Sequence, residues 1–357
     1  MKIAFTVGSL SGGGAERVIA RLATRLCEKG HEVSVFLIAN ARIDYPICSD
    51  ICVRFIRPRI NIRGIRGVLR KRKYRKEILK ASPDVVISFT AAVNVFVLEA
   101  LKGTGIKTVV SERNNPYVDP ADAGLRKKRD KLYFHADGVV FQTSDAKAYF
   151  SDAIQKDSEI ILNPLDDSLP TPYAGEREKR IVSVGRLEKQ KNQTLLIEAF
   201  SELAKQFPEY ILEIYGEGSL RTSLENKIEQ LELKTRVFLK GYEKDVLSKI
   251  SRAKMFVLSS DYEGISNALI EAMAIGLPVV STDHPIGGAR AVIVDGENGL
   301  LTPVGDRKAL GDAMRAILED AEISIKMGEN ATKIRERLSV EKIAEQWLAY
   351  LERVIVK

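Results

Sequence analysis

Lys2-Ile-Ala-Phe-Thr-Val-Gly-Ser-Leu-Ser-Gly-Gly-Gly-Ala-Glu-Arg17 begins as an apolar run of strand length, breaks into three consecutive glycines and re-enters helical spacing. Glycines where a strand turns into a helix let the backbone approach a phosphate, and the free N–H groups and positive helix end favour an anion there. The spacing is neither a GxGxxG dinucleotide fingerprint nor a P-loop, since no GK[ST] follows, and a plain tight turn is the competing reading.

The same strand-then-helix rhythm runs outward through the chain. Apolar runs at 3–7, 33–38, 53–56, 85–89, 108–110, 138–141 and 160–162, and again at 181–184, 211–215, 237–239, 255–258 and 278–280, are separated mostly by helical periodicity. Such alternation predicts an α/β protein with parallel sheets and crossover helices. Asn163-Pro-Leu-Asp-Asp-Ser-Leu-Pro-Thr-Pro-Tyr-Ala-Gly175 concentrates three prolines and turn formers between two strands, which marks a domain boundary. The expected division is a first domain over 1–165, a second over 176–337, and a closing helix in 338–357. That helix places Ile343, Trp347, Leu351 and Val354 at helical spacing and is expected to pack back on the first domain.

With 45% hydrophobic and 29% charged residues, the 357-residue chain can bury two cores, which excludes a small disulfide-stapled module and intrinsic disorder. No run reaches the roughly 18 apolar residues of a membrane span, and the opening strand lacks the order of a signal peptide, so a cytoplasmic placement is expected. Cys27, Cys48 and Cys52 form no CxxC pair and are expected to be structural thiols. His31, His135 and His284 lie far apart and no D-x-D motif occurs, so no metal is expected. His284 could approach a bound phosphate, although a loop role is the plainer reading.

The net charge of +7 is unevenly placed. Residues 57–80 hold eleven basic side chains and one acid, Glu77, which makes the segment +10 and leaves the rest at −3. One patch of this kind suits a local anionic partner better than the wider basic surface of a nucleic-acid binder, so no nucleic-acid partner is expected. As a helix at about 100° per residue, Arg63, Arg66, Arg70 and Lys73 share one wedge while Ile65, Val68, Leu69 and Leu79 gather on another. A basic amphipathic helix fits an anionic membrane surface or a lipid diphosphate.

The second half carries the denser constellation. Val184-Gly-Arg-Leu-Glu-Lys-Gln-Lys-Asn192 places Arg186 and Lys191 in a strand-to-helix loop, where two cations could clamp a diphosphate. Downstream, Ser259-Ser-Asp-Tyr-Glu-Gly-Ile-Ser-Asn-Ala-Leu-Ile-Glu-Ala-Met-Ala-Ile-Gly276 puts Glu263 in a loop, Ser266 at an N-cap and Glu271 inside an apolar helix. Glu271 then stands roughly 7–8 Å along the helix at 1.5 Å per residue, with Glu263 beyond its start. Two carboxylates flanking amides that favour phosphate describe a site for a nucleotide sugar.

The Glu263/Glu271 pair, spaced E-x7-E within EG-x6-EAMA, together with GRLEKQKN (185–192), GGGAER (12–17) and GENGLL (296–301), resembles the family 4 retaining glycosyltransferases. The resemblance covers nearly the whole chain. It implies the GT-B fold, with two Rossmann-like domains facing a central cleft, and within the family it points to bacterial enzymes that build polyprenyl-diphosphate-linked glycans. By resemblance, Arg186 and Lys191 would bind the donor diphosphate, Glu271 the ribose and Glu263 the transferred sugar. Gly264, Ile265, Ser266 and Asn267 would meet sugar or phosphate, Gly13 and Gly14 would close the phosphate site, and the base would lie near Gly216, Gly241 and Tyr242. Where the family often carries a histidine after the strand ending at Val110, this chain reads Ser111-Glu-Arg-Asn-Asn-Pro116, which puts Arg113 or Asn114 in that position.

The implied activity is retaining transfer of a sugar, expected to be N-acetylgalactosamine, from a UDP-sugar to an undecaprenyl-diphosphate-linked saccharide at the inner face of the cytoplasmic membrane. No cofactor or metal is implied. A lipopolysaccharide-core or capsule hexosyltransferase is the nearest alternative. A UDP-sugar 2-epimerase would share the architecture but has no use for E-x7-E.

Overall fold

The apolar runs of the first half become strands β1 (Lys2–Val7), β2 (Glu32–Leu37), β3 (Cys52–Phe55), β4 (Val85–Phe89), β5 (Lys107–Ser111), β6 (Gly138–Phe141) and β7 (Ser158–Ile160). They pair in parallel as one seven-stranded sheet in the order β3-β2-β1-β4-β5-β6-β7. The second half forms β8 (Glu178–Val184), β9 (Ile211–Tyr215), β10 (Val237–Gly241), β11 (Ala253–Leu258), β12 (Val279–Thr282) and β13 (Leu300–Thr302), a six-stranded parallel sheet in the order β10-β9-β8-β11-β12-β13. The computed structural model describes residues 1–57 and 65–357.

Helices cover both faces of each sheet, which is why the central strands read as continuous apolar runs rather than alternating ones. Every residue of β4 and β12 is buried. One core of the first unit gathers Ala4, Phe36, Tyr74, Ile78, Val86 and Val97, and the second unit's core includes Ile181, Phe200, Ile214, Val257 and Met314. In each sheet the strand order reverses once, between β1 and β4 and between β8 and β11. Ligands of open parallel sheets bind outside the carboxyl ends of the strands at such reversals.

The chain divides into residues 1–166 with 338–357 and residues 167–337. Residues 167–175, expected as linker, therefore belong to the second unit. The Arg335 guanidinium bonds the Pro170 carbonyl, Arg177 donates to the Tyr173 carbonyl at 3.5 Å, and the Arg252 guanidinium lies 5.3 Å from the Tyr173 ring centre. The closing helix, Val340–Val356, belongs to the first unit. Trp347, fully buried, stacks on Phe89 at 5.7 Å, and the Tyr350 hydroxyl donates to the Asp157 carbonyl at 2.6 Å.

The basic segment is corrected by the fold. Its helix is Arg66–Ala81, and Arg63 lies outside the described residues. The residues that anchor it are Tyr74 and Ile78, which belong to neither wedge. Arg70 turns inward, donating to the Ile38 carbonyl at 2.9 Å and lying over the Phe96 ring, and Lys73 donates to the Arg57 carbonyl at 2.8 Å. Arg66 is exposed. The outward face instead mixes Ile65, Val68 and Leu79, each about half exposed, with the exposed cations Arg72, Lys76 and Lys80. Among the described residues no helix is long and apolar enough to cross a membrane.

Candidate active site

Because the second sheet reverses between β8 and β11, the loops leaving those strands lie side by side, and these are the loops that carry GRLEKQKN and the E-x7-E element. They are stitched together: the Asp261 amide donates to the Gln190 carbonyl at 2.9 Å, the Gln190 side chain to the Tyr262 carbonyl at 2.8 Å, and the Asn192 amide to the Asp261 carboxylate at 2.7 Å. Across the seam the Lys191 ammonium forms an ion pair with Glu263. Ser260 donates to the same carboxylate at 3.0 Å, and the Thr282 hydroxyl donates to the Ser260 carbonyl at 2.6 Å. Lys191 and Glu263, assigned above to different parts of a donor, are thus one charged pair.

Ser266 caps the helix Asn267–Ala274, accepting from the Leu269 amide at 3.4 Å. Glu271 is its fifth residue and only 3% exposed, while Leu269, Ile270, Ala272 and Met273 bury the rest of the helix. Gly264, Ile265, Ser266 and Asn267 are all buried at this helix start. Gly216 has φ +136°, and a Cβ there would stand 2.0 Å from the Gly185 carbonyl, so only glycine lets the turn after β9 approach the one after β8. Its amide donates to the Gly241 carbonyl at 2.8 Å, and Tyr242 beside it is 79% exposed, an unburied ring at the strand ends. Arg186 is exposed.

His284 also belongs to this cluster. It is fully buried, and its Nε2 has no hydrogen-bond partner among the described residues. Burial pushes its pKa below the ordinary imidazole value, against the opposing pull of Glu263, so the ring is neutral. At Gly288 a Cβ would fall 1.8 Å from the Gly264 carbonyl and 2.9 Å from His284 Cε1, which shows how tightly the loop after β12 is packed beneath Glu263.

In the first unit the turn after β1 leads into the helix Gly14–Glu28, with Gly13 as N-cap. The Glu16 carboxylate folds back over Gly13, 1.9 Å from where a Cβ would stand, so this helix end already faces an anion of its own. Arg113, at the carboxyl end of β5, donates to Asn163 at 2.7 Å and to the Ser111 hydroxyl at 3.3 Å, with its guanidinium 4.4 Å over the Phe89 ring. Burial lowers its pKa to about 9, which leaves it charged at neutral pH. Asn114 instead accepts from the amide of Asn115 at 2.9 Å. Below this loop the fully buried Arg129 holds the Pro116 and Asp119 carbonyls at 2.9 and 2.7 Å and faces Glu112 at 3.5 Å. Desolvation raises the Glu112 carboxyl to about 7 despite Arg129.

Gln190, Ser260, Asp261, Thr282 and Gly288 enter as site residues only with the fold; for His284 the fold decides between the phosphate approach and the loop role weighed above, and Glu16 lies within the GGGAER turn. The Ser259-Ser-Asp run beside Glu263 is a local signal for Ser260 and Asp261. Gln190, Thr282 and Gly288 meet the site across long sequence separations that no local pattern encodes.

The chain matches the family model described as Glycosyltransferase Family 4 over residues 12–169 and that described as Glycosyl transferases group 1 over residues 171–334. It is 31% identical over 371 residues to the N-acetylgalactosamine-N,N'-diacetylbacillosaminyl-diphospho-undecaprenol 4-alpha-N-acetylgalactosaminyltransferase of Campylobacter jejuni, covering 98% of this chain and 99% of that one. A second Campylobacter jejuni protein, the GalNAc-alpha-(1->4)-GalNAc-alpha-(1->3)-diNAcBac-PP-undecaprenol alpha-1,4-N-acetyl-D-galactosaminyltransferase, is 29% identical over 99% of each chain. Among solved structures, Anabaena HepE in complex with UDP and glucose superposes with a TM-score of 0.86 at 20% identity over 99% of each chain. Sucrose-phosphate synthase of Thermosynechococcus elongatus reaches 0.85 at 20% identity, again over 99% of each chain. The fold is that of these proteins.

Proposed function

The chain belongs to the glycosyltransferases of family 4 and group 1, and from that membership we propose that it is a retaining, metal-independent enzyme transferring N-acetylgalactosamine from its UDP-sugar to an undecaprenyl-diphosphate-linked saccharide. The observation that carries the reading is the Lys191–Glu263 pair set between the two loops at the β8/β11 reversal, beside the helix that buries Glu271. Cations and helix amides there supply the charge stabilisation that a departing diphosphate needs. Glu271 meets the ribose, and Glu263 meets the sugar hydroxyls while holding Lys191 in place. Within the first unit, Arg113 takes the position where the family often carries a histidine, and the turn at Gly13 and Gly14 receives a phosphate, which on arrival displaces Glu16. The two Campylobacter relatives, named for N-acetylgalactosamine transfer to undecaprenol-linked glycans, support this donor and acceptor.

The acceptor is held at the cytoplasmic face of the membrane, and the outward face of the helix Arg66–Ala81 meets its anionic surface. Support comes from the three exposed cations alternating with Ile65, Val68 and Leu79. The deciding experiment offers the enzyme a panel of nucleotide sugars with a synthetic lipid-diphosphate saccharide and weighs the products. Addition of one N-acetylhexosamine from the UDP-N-acetylgalactosamine arm is expected. Transfer of a different hexose to a lipopolysaccharide-core acceptor, or epimerisation of the sugar without transfer, would replace this reading.

A further inference from the structure

Cys27, in the last turn of the helix Gly14–Glu28, and Cys48, in the loop between β2 and β3, bring their sulfurs to 3.4 Å. With the Asp50 carboxylate they form a group whose ligand atoms all lie within 4.8 Å of one another. Both cysteines are half-buried and Asp50 is exposed, so water can reach the group. Cys52 stands aside, its sulfur accepting from Arg54 at 3.4 Å.

We propose that Cys27, Cys48 and Asp50 bind a thiophilic divalent cation, zinc above all, with water in the fourth position. Two thiolates and a carboxylate are three of the four ligands of a tetrahedral zinc, and its bonds of about 2.3 Å to sulfur set the two sulfurs about 3.8 Å apart. The observed 3.4 Å lies much nearer that spacing than the roughly 2.05 Å of a disulfide, and a disulfide has no use for the carboxylate. On binding, each thiol gives its proton to solvent and each sulfur gains a bond to the metal.

The site sits on the loop that holds the glycine turn. The Cys48 amide donates to Thr24 at 3.1 Å, anchoring one end on the helix. Further along, the Leu10 amide donates to the Arg42 carbonyl at 3.1 Å, the Asp44 amide to the Leu10 carbonyl at 2.9 Å, and the Tyr45 hydroxyl to the Gly13 carbonyl at 3.1 Å. A metal joining Cys27 to Cys48 and Asp50 pins this loop, and through it the turn at residues 8–13.

The test uses the whole chain, reduced and stripped of metal, titrated with zinc against a chromophoric chelator and separately with cobalt. One equivalent of zinc is expected, and cobalt should show thiolate charge-transfer and tetrahedral ligand-field bands that zinc abolishes. Cys27→Ser and Cys48→Ser should lose the equivalent, Asp50→Asn should weaken it about tenfold or more, and Cys52→Ser should leave it unchanged. Zinc should also slow amide exchange in residues 39–50 and 8–13 of the wild type. No stoichiometric binding, binding that survives Cys27→Ser, a Cys27–Cys48 disulfide in place of the metal, or exchange indifferent to zinc would overturn the proposal. If the serine variants do not fold, the cobalt spectrum of the wild type decides. These readouts are independent of sugar transfer, so a failed transfer assay leaves this inference standing.

Discussion

The ion pair between Lys191 and Glu263 makes their roles separable only by measuring binding and turnover apart. Lys191→Ala should cost about 2–4 kcal/mol in kcat/KM, the scale of a lost oxyanion donor, and leaves Glu263 without its cation. Glu263→Gln should slow transfer while UDP affinity holds or tightens, because Lys191 is released toward phosphate. Glu271→Gln should instead weaken UDP itself, since ribose contacts are alike in ground and transition states. Calorimetric UDP titrations beside steady-state kinetics check this division, and an equal loss of UDP affinity in both glutamine variants defeats it. Glu112 offers a stability test. Its folded pKa, about 7, stands above the ordinary 4.5, so the stability it contributes is complete below about pH 4.5 and is lost as pH rises through 7. Glu112→Gln should flatten that slope between about pH 4.5 and 7. Urea unfolding with the same pH slope in both proteins would refute it.

At the level of single elements, the helix Arg66–Ala81 separates cations used by the fold from cations left to a partner. Arg72→Ser with Lys76→Ser should reduce partition onto anionic vesicles by about 2 kcal/mol, and raise the acceptor KM with the donor KM unchanged. Val68→Ser with Leu79→Ser should weaken partition at high salt as well, because their contribution is not screened. Arg70→Ser with Lys73→Ser should act mainly on the stability of the first unit, since those side chains bond the Ile38 and Arg57 carbonyls. Vesicle sedimentation in which the Arg70/Lys73 pair matters more than Arg72/Lys76 would reverse the assignment. Helical spacing marked this helix as amphipathic, but the side facing the sheet is chosen by Tyr74 and Ile78, whose partners Phe36 and Phe96 are remote in sequence.

Over the whole molecule, the closing helix returns to the first unit, and Trp347 is its largest buried side chain. Trp347→Ala should destabilise that unit by about 3–5 kcal/mol, seen by amide exchange as faster opening around β4 and the helix Val340–Val356. Unchanged exchange there would show that the helix contributes little. The second whole-molecule expectation is that turnover persists in excess chelator, because in the proposed mechanism Arg186, Lys191 and helix amides do the work a divalent cation would otherwise do. Loss restored by magnesium or manganese counts against it, whereas loss restored by zinc alone reports on the thiol site.

The residues by themselves determined the parallel α/β architecture, the motifs at the strand ends and the N-cap at Ser266, because strand runs, glycine turns and capping are local and read within a few positions. Tertiary structure decided which side chains meet. The reversal of strand order brings Lys191 to Glu263 and places His284 beneath them, and the loop after β2 carries Cys48 back to Cys27 across 21 residues. It also decided that residues 167–175 join the second unit and that Arg70 faces inward. Each of these depends on long-range pairing, whose free energy lies in burial and charge between segments far apart in the chain, and local periodicity carries no record of it.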